Sequence, residues 1–217
     1  MKKSKVLITT LCAVLLVTVS VLGTLAYLTS QDEVVNTFTI GKVNISLDEA
    51  AVNVDGTEIP GADRVKENNY HLIPGQTYVK DPTLTVKAKS EDSYVRMLLT
   101  LNCADEFDAI YAPDKADLTT IFNGYDATNW VYETVTRDTA KNTITYEFRY
   151  KEIVAKSATD TKLDALFDSI TVPSAFDSKD MKSIANLKIT VIGHAIQATG
   201  FANAESAWTA FNEQING

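Results

Sequence analysis

Apolar and polar residues alternate with a period of two through most of the chain beyond residue 42, which is the pattern of half-buried β-strands. The clearest rows are Val43–Leu47, Leu84–Ala88, Val95–Leu101, Ile144–Tyr150 and Leu187–Val191. Val131–Val135 is a further candidate, and the polar segment Arg137–Asn142 predicts that it forms a hairpin with Ile144–Tyr150. Tyrosines and phenylalanines follow the same period, so we expect them in the core.

Turn signals that contain glycine separate these rows. They are Asp55-Gly56, Pro60-Gly61, Pro74-Gly75, Asn123-Gly124 and Gly200. Helical patterns are short: Asp117–Phe122 covers one or two turns, and Ala204–Phe211 has an apolar stripe with Asn203 as its candidate N-cap. The pattern predicts an all-β fold, a jelly-roll-like β-sandwich with a few short helices in loops and at the C-terminus.

The N-terminal segment has the features of a secretory signal peptide. Three lysines precede the uncharged run Val6–Leu22, and the small residues Gly23, Thr24 and Ala26 follow it. We expect cleavage between Ala26 and Tyr27. The alternative is an uncleaved transmembrane anchor, because the 23 residues from Val6 to Leu28 are long enough to span a bilayer.

A separable arm follows the expected cleavage point. Val34, Phe38 and Ile40 share one face of an extended chain, whereas Val43–Leu47 has the opposite parity, so the phase changes at Gly41. We therefore expect three regions: a signal peptide at 1–26, an N-terminal arm or donor strand at 27–41, and the sandwich domain at 42–217. The free arm would add to the sheet edge of a neighbour; the alternative is that it folds onto its own domain as a first strand.

The charge of the mature chain limits its partners. Removing residues 1–26 leaves 17 basic and 28 acidic residues, a formal net charge of −11. This charge disfavours nucleic acid and anionic lipid, so we expect contact with a membrane only through the uncleaved signal peptide. Cys12 leaves with the signal peptide, and Cys103 then has no disulfide partner in its own chain, so we interpret it as a packing residue.

No recognisable catalytic or metal-binding motif occurs in the sequence. The two histidines, His71 and His194, lack metal-ligand spacing, and we interpret them as structural or surface residues in a loop and at the end of a strand. The acidic group Asp105, Glu106, Asp108, Asp114 and Asp117 lacks the order of an EF-hand loop and is typical of a solvated segment. We expect no catalytic residue, metal or cofactor, and therefore a structural or binding role.

Several short motifs, taken in order, resemble the TasA/camelysin family of secreted Gram-positive proteins. They are the junction Gly23–Thr29, the first mature segment Asn36–Val43, Pro74-Gly75-Gln76 with Lys80-Asp81-Pro82 before a strand, and Ala195–Ala198 with Gly200-Phe201 near the end. The resemblance covers both ends and the middle of the chain, whereas Asp105–Ser183 is much less diagnostic.

The resemblance implies a jelly-roll sandwich that is exported with the help of a SipW-type signal peptidase. It also implies self-assembly into biofilm-matrix fibres at or outside the cell surface, in which the N-terminal segment of one subunit adds as a strand to the next. Two alternatives stay open: a camelysin-like cell-surface metalloendopeptidase, a label that some relatives carry, and a monomeric surface adhesin. The lack of a zinc motif argues against the peptidase.

Overall fold

Antiparallel β-sheet forms the framework of the protein in a computed structural model, which describes residues 42–106 and 122–216. These residues belong to one compact unit, Gly41–Gly217. Its strands are β1 (Ile45–Asp48), β2 (Thr77–Val79), β3 (Thr83–Val86), β4 (Ser93–Asn102), β5 (Phe122–Asn123), β6 (Trp130–Asp138), β7 (Thr143–Tyr150), β8 (Thr161–Lys162), β9 (Ser169–Thr171) and β10 (Ile189–Gln197). Among the described residues, helix α1 covers Ser178–Ser183 and helix α2 covers Ala204–Asn216, and residues 104–106 are also helical.

The strands form three sheets, with the orders β1-β3-β8, β10-β4-β7-β6 and β2-β9-β5. Every strand pair among the described residues is antiparallel. The predicted all-β sandwich with few helices is therefore confirmed. No helix within residues 42–106 and 122–216 is long and apolar enough to cross a membrane.

Alternation along the central strands builds the core. In β4, Val95, Met97, Leu99 and Leu101 are buried, and so are Ile144, Tyr146 and Phe148 of β7. Leu84 and Val86 of β3, Trp130 of β6, and Tyr78 and Phe122 of the third sheet belong to the same cluster. The expectation that the periodic aromatic residues belong to the core is confirmed for Tyr78, Phe122, Tyr146 and Phe148.

The predicted hairpin is also confirmed, because β6 pairs with β7 from Trp130↔Tyr150 to Asp138↔Thr143. Its register shifts between Tyr132 and Thr134, which is a β-bulge. Glycines in the five predicted turns all have positive φ, between 70° and 98°, a region that other residues rarely adopt.

Helix α2 begins where the sequence predicts, since the Asn203 side chain accepts the backbone N–H of Ser206 at 2.9 Å. The short helix α1 was not predicted, although Asp177 and Asp180 form a capping box at its start. Of the predicted helical turn Asp117–Phe122, only Phe122 lies within the described residues. It is a β5 strand residue paired with Ile170, so the helical prediction is wrong at Phe122.

Candidate assembly interface

The predicted assembly residues Val34, Phe38 and Ile40, like the cleavage pair Ala26 and Tyr27, lie outside the described residues. What the structure describes is the domain that such an arm would meet. A strand that adds to a neighbour needs a sheet edge with unpaired backbone groups. The four-stranded sheet has two edge strands, β10 and β6, and each is nine residues long.

The β10 edge is regular along its whole length. Its nine residues pair with β4 from Ile189↔Leu101 to Gln197↔Ser93 without a register shift. Within the described residues, no strand pairs with the other side of β10. Among the described residues, this side of β10 is therefore a regular edge of nine residues.

Hydrogen bonds at the two ends of β10 show which of its backbone groups face this open side. Ala198 N–H donates to Asp92 O at 2.6 Å, and Asn102 N–H donates to Lys188 O at 3.3 Å. Backbone groups of alternate residues point to the same neighbour in an antiparallel pair. Even-numbered residues of β10 therefore bond to β4, and the N–H and C=O groups of odd-numbered residues, including Gly193 and Ala195, point to the open side.

The side chains of β10 do not protect this edge. The segment Ile189–Gln197 contains no Asp, Glu, Lys, Arg or Pro, and Ile192 is 46% exposed. On the inner face, Gly193 allows a close approach, because a Cβ there would lie 2.6 Å from Leu84 Cδ1. An apolar, unbroken edge strand is the kind that pairs with other chains.

Strand β6, at the opposite edge, has two protective features. The bulge between Tyr132 and Thr134 interrupts its register with β7, and the strand carries Glu133, Arg137 and Asp138. Bulges and charges are the means by which natural edge strands resist pairing. The two edges of one sheet therefore differ in their readiness to accept a strand.

Helix α2 covers part of the outer face of the same sheet, next to β10, through a buried arginine. Arg96 of β4 is 2% exposed, and its Nη2 donates to Asn212 Oδ1 at 2.6 Å. Its guanidinium carbon lies 4.5 Å from the ring centre of Trp208, a cation–π contact. The charge is balanced by Glu147 of β7, whose Oε2 is 3.5 Å from Arg96 Nη1. These contacts attach the helix to β4 and β7.

His194 of β10 completes this group. Its Nδ1 accepts a hydrogen bond from Arg96 Nε at 3.2 Å, and its ring centre is 4.7 Å from that of Phe211. Burial and then the charge of Arg96 lower the pKa of His194. The imidazole is therefore neutral when the helix is docked, with its proton on Nε2.

The prediction that His194 lies at the end of a strand is wrong. The strand extends six residues beyond Val191 to Gln197, so His194 lies inside it. The interpretation of His71 as a loop residue is confirmed; its backbone N–H donates to Val54 O at 2.6 Å, and its carbonyl accepts from the Tyr78 hydroxyl at 2.7 Å.

Cys103 is half-buried and packs against the core. It has a φ of 60° and follows β4 directly, with its Sγ 3.9 Å from Ser183 O. Burial raises the pKa of its thiol. A thiol with a raised pKa is a poor nucleophile at neutral pH, which agrees with a packing role.

The acidic segment is described only in part. Asp105 Oδ1 is 4.0 Å from Arg137 Nη1, and Glu106 Oε2 accepts from Asn142 Nδ2 at 3.1 Å. Asp108, Asp114 and Asp117 lie outside the described residues. Within residues 42–106 and 122–216, no three His, Cys, Asp or Glu side chains are grouped so that they could hold a metal ion.

A second polar group is buried below the loop that follows β1. Lys80 Nζ donates to Glu49 Oε2 at 2.6 Å, and Asn68 Nδ2 donates to Glu49 Oε1 at 3.0 Å. This group was not predicted from the sequence, because its three residues are 12 to 31 positions apart and no motif contains more than one of them. The only local signal was Lys80, which lies in a polar segment between two strands.

Comparisons with family models, curated proteins and solved structures gave no significant match for this chain. Any proposal about its function therefore depends on the geometry of the domain and on the sequence motifs.

Proposed function

We propose that the chain is a secreted structural protein of the TasA/camelysin type, which assembles into extracellular matrix fibres of a Gram-positive bacterium. In this proposal, the arm at 27–41 of each subunit adds as a strand to the β10 edge of the next subunit. The observation that supports it is the regular, uncharged edge of β10, whose odd-numbered backbone groups face no strand among the described residues.

The arm and the edge agree in length and chemistry. Nine residues of β10 would pair with nine of the arm, for example Asp32–Ile40, over about 30 Å at about 3.4 Å per residue. Because β10 carries no acidic side chain, it would not repel Asp32 and Glu33 of an incoming arm. The acidic residues of β6 would do so, and this favours β10 as the acceptor.

The expected strength of one junction is modest. Burying Val34, Phe38 and Ile40 contributes about 5–9 kcal/mol, at about 1.5–3 kcal/mol for each side chain. The loss of translational and rotational entropy when two subunits associate costs a similar amount of free energy. Backbone pairing along β10 therefore decides whether the junction persists, and many junctions along a fibre stabilise one another.

Export would control assembly in this proposal. Before a SipW-type signal peptidase cleaves between Ala26 and Tyr27, the signal peptide holds the N-terminal end of the arm at the membrane. Cleavage frees this end outside the cell, where a neighbour's edge is available. Assembly is thereby confined to the exterior.

Deletion of Tyr27–Ile40 tests the arm. We expect the truncated protein to be a folded monomer by circular dichroism and sedimentation, with no fibres in electron micrographs. Phe38→Asp should have the same effect, whereas Thr37→Asp, on the opposite face of the arm, should leave fibres intact.

Fibres from the truncated protein would show that the arm is not the linker. An unfolded truncated protein would show that the arm is a strand of its own domain. A mature full-length chain that stays monomeric at every concentration would favour the adhesin.

A further inference from the structure

Three side chains from separate parts of the chain meet at one buried carboxylate. Glu49 directly follows β1, Lys80 directly follows β2, and Asn68 lies in the loop between these strands. Lys80 Nζ is 2.6 Å from Glu49 Oε2, and Asn68 Nδ2 is 3.0 Å from Glu49 Oε1. One carboxylate thus contacts both an amine and a carboxamide.

The ion pair of the site is shielded from water, whereas Asn68 and Tyr70 are half-buried. Glu49 and Lys80 are each 7% exposed. Tyr70 lies beside them, with its hydroxyl donating to Val79 O at 3.1 Å and its ring packed edge-on against Tyr78. Burial, and then the charge of Glu49, raise the pKa of Tyr70, so it stays a neutral phenol.

The carboxamide of Asn68 is held in one orientation by three hydrogen bonds. Besides the bond to Glu49, its Nδ2 donates to Ala50 O at 2.8 Å. Its Oδ1 accepts the backbone N–H of Val52 at 3.1 Å. This N–H polarises the carbonyl and is placed to stabilise negative charge that develops on Oδ1.

A purely structural role explains this arrangement poorly. Burying an ion pair costs desolvation energy that the attraction between the charges often fails to recover, so a buried pair is weak evidence for stability. The short contact between Lys80 Nζ and Glu49 Oε2 places a proton acceptor directly on the amine, and removal of that proton would free the nitrogen lone pair. A neutral amine next to a polarised carboxamide is a nucleophile next to its electrophile.

We propose that Lys80 and Asn68 form an intramolecular isopeptide bond, with Glu49 as the catalytic acid–base. Glu49 takes a proton from Lys80, and the free lone pair of Nζ attacks Cγ of Asn68. The resulting oxyanion on Oδ1 is stabilised by Val52 N–H. Attack requires Nζ to leave Oε2 and approach Cγ to about 3–3.5 Å, and in this proposal rotation of the lysine side chain about its four-carbon stem supplies that movement.

The intermediate collapses with the help of the same carboxylate. Glu49 gives its proton to Nδ2 and takes one from Nζ, the Cγ–Nδ2 bond breaks, and ammonia leaves. The products are a secondary amide between Nζ and Cγ, free ammonia and a protonated Glu49, whose proton is later lost to solvent. No atom changes oxidation state, and no cofactor or second reactant is needed.

The cross-link would tie the loop at Asn68 to the end of β2. A covalent closure restricts the unfolded chain in the way that a disulfide does. Since Cys103 is the only cysteine expected in the mature chain, this protein has no disulfide of its own to serve that purpose. The proposal holds whether or not the chain assembles into fibres.

Intact-mass measurement of the folded full-length protein tests the bond directly. We expect a mass lower than that of the unlinked sequence by about 17 Da, the mass of ammonia, and a branched peptide that joins Asn68 to Lys80 after digestion. Lys80→Arg and Glu49→Gln should each show the mass of their unmodified sequence. Lys87→Arg, which alters the exposed ion pair with Asp160, is the matched control and should keep the loss.

The full unlinked mass in wild-type protein that is folded by circular dichroism, still unchanged after prolonged incubation, would overturn the proposal. The loss of ammonia in Glu49→Gln would overturn the catalytic role of Glu49. Because the wild-type measurement needs no variant to fold, a misfolded variant does not affect the main result.

Discussion

The two edges of the four-stranded sheet have the same length but opposite character. Strand β10 pairs with β4 over nine residues without a shift and carries no acidic or basic residue apart from the neutral His194. Strand β6 is interrupted by a bulge and carries Glu133, Arg137 and Asp138. Both strands are edges of one sheet, so the difference lies in their sequences and not in their position.

The four-stranded sheet is therefore asymmetric, since one of its edge strands is protected against pairing and the other is not. A sheet with two equally open edges would pair edge to edge in several ways, whereas one protected and one open edge leaves this sheet a single acceptor strand. If the arm is the donor, each subunit then has one donor and one acceptor, which is the head-to-tail arrangement that produces a filament.

The largest effect on assembly is expected from removing a backbone N–H group on the open side of β10. Ala195→Pro deletes a donor that faces away from β4, so the ladder within the domain stays intact. We expect fibre formation to be abolished, because the partner carbonyl would be buried without a hydrogen bond. Electron microscopy measures the fibres, and thermal unfolding measures the fold.

The matched control for this change is Ala195→Ser, which keeps the N–H and nearly the same size, and it should assemble normally. Normal fibres from Ala195→Pro would show that the open side of β10 is not the acceptor.

A charged residue on β10 should make that strand resist pairing with an added strand, as the charges of β6 do. Ile192→Glu places a carboxylate on the exposed outer face, where an added arm would bring Asp32 and Glu33 close. We expect the critical concentration for assembly to rise about tenfold, which corresponds to about 1.4 kcal/mol for each junction. Sedimentation of the polymer measures this concentration.

Thr136→Glu on β6 is the control for the charge itself, since Thr136 is also exposed. Equal effects of the two substitutions would mean that net charge, and not the β10 edge, limits assembly.

Acid should weaken the side of the sheet that contains β10. The pKa of His194 is lowered by burial and by Arg96, so the native state binds fewer protons than the unfolded chain below about pH 6.5. The free energy of unfolding therefore falls as the pH is lowered from 7 to 5, because a protonated His194 would face Arg96. The charged groups that face this site are Arg96, Glu147 and Arg149, with Glu205 from α2.

Denaturant titration at a series of pH values measures this effect. His194→Asn should reduce the slope between pH 5 and 7. An identical slope in wild-type and His194→Asn protein would contradict the assignment.

The smallest effect is expected at Cys103, which lies at neither edge. Cys103→Ala removes a half-buried thiol whose nearest polar contact is 3.9 Å away, so we expect a loss of stability of about 1 kcal/mol or less and unchanged fibres. Loss of fibres in this variant, or after addition of reductant to wild-type protein, would reveal a disulfide between subunits.

Local patterns in the sequence determined much of the fold. The period of two located the long strands β4, β6 and β7, because each buries one face on a core and exposes the other. The five turn glycines and the Asn203 cap were predictable for a similar reason, since a positive φ and an N-cap are properties of a few neighbouring residues. Short strands such as β5 and β8, with two residues each, have too few positions to show a period.

The features on which both proposals depend follow from tertiary packing and could not be predicted from local patterns. The sequence pattern of β10 weakens at Gly193, and its continuation depends on Leu84 filling the space that a side chain would take. The edge positions of β6 and β10 depend on the order of strands in the sheet, which no single segment encodes. Likewise, Glu49, Asn68 and Lys80 meet because the backbone pairing of β1, β2 and their neighbours brings distant residues together. Contacts of this kind follow from the packing of the whole chain, and a local pattern does not contain them.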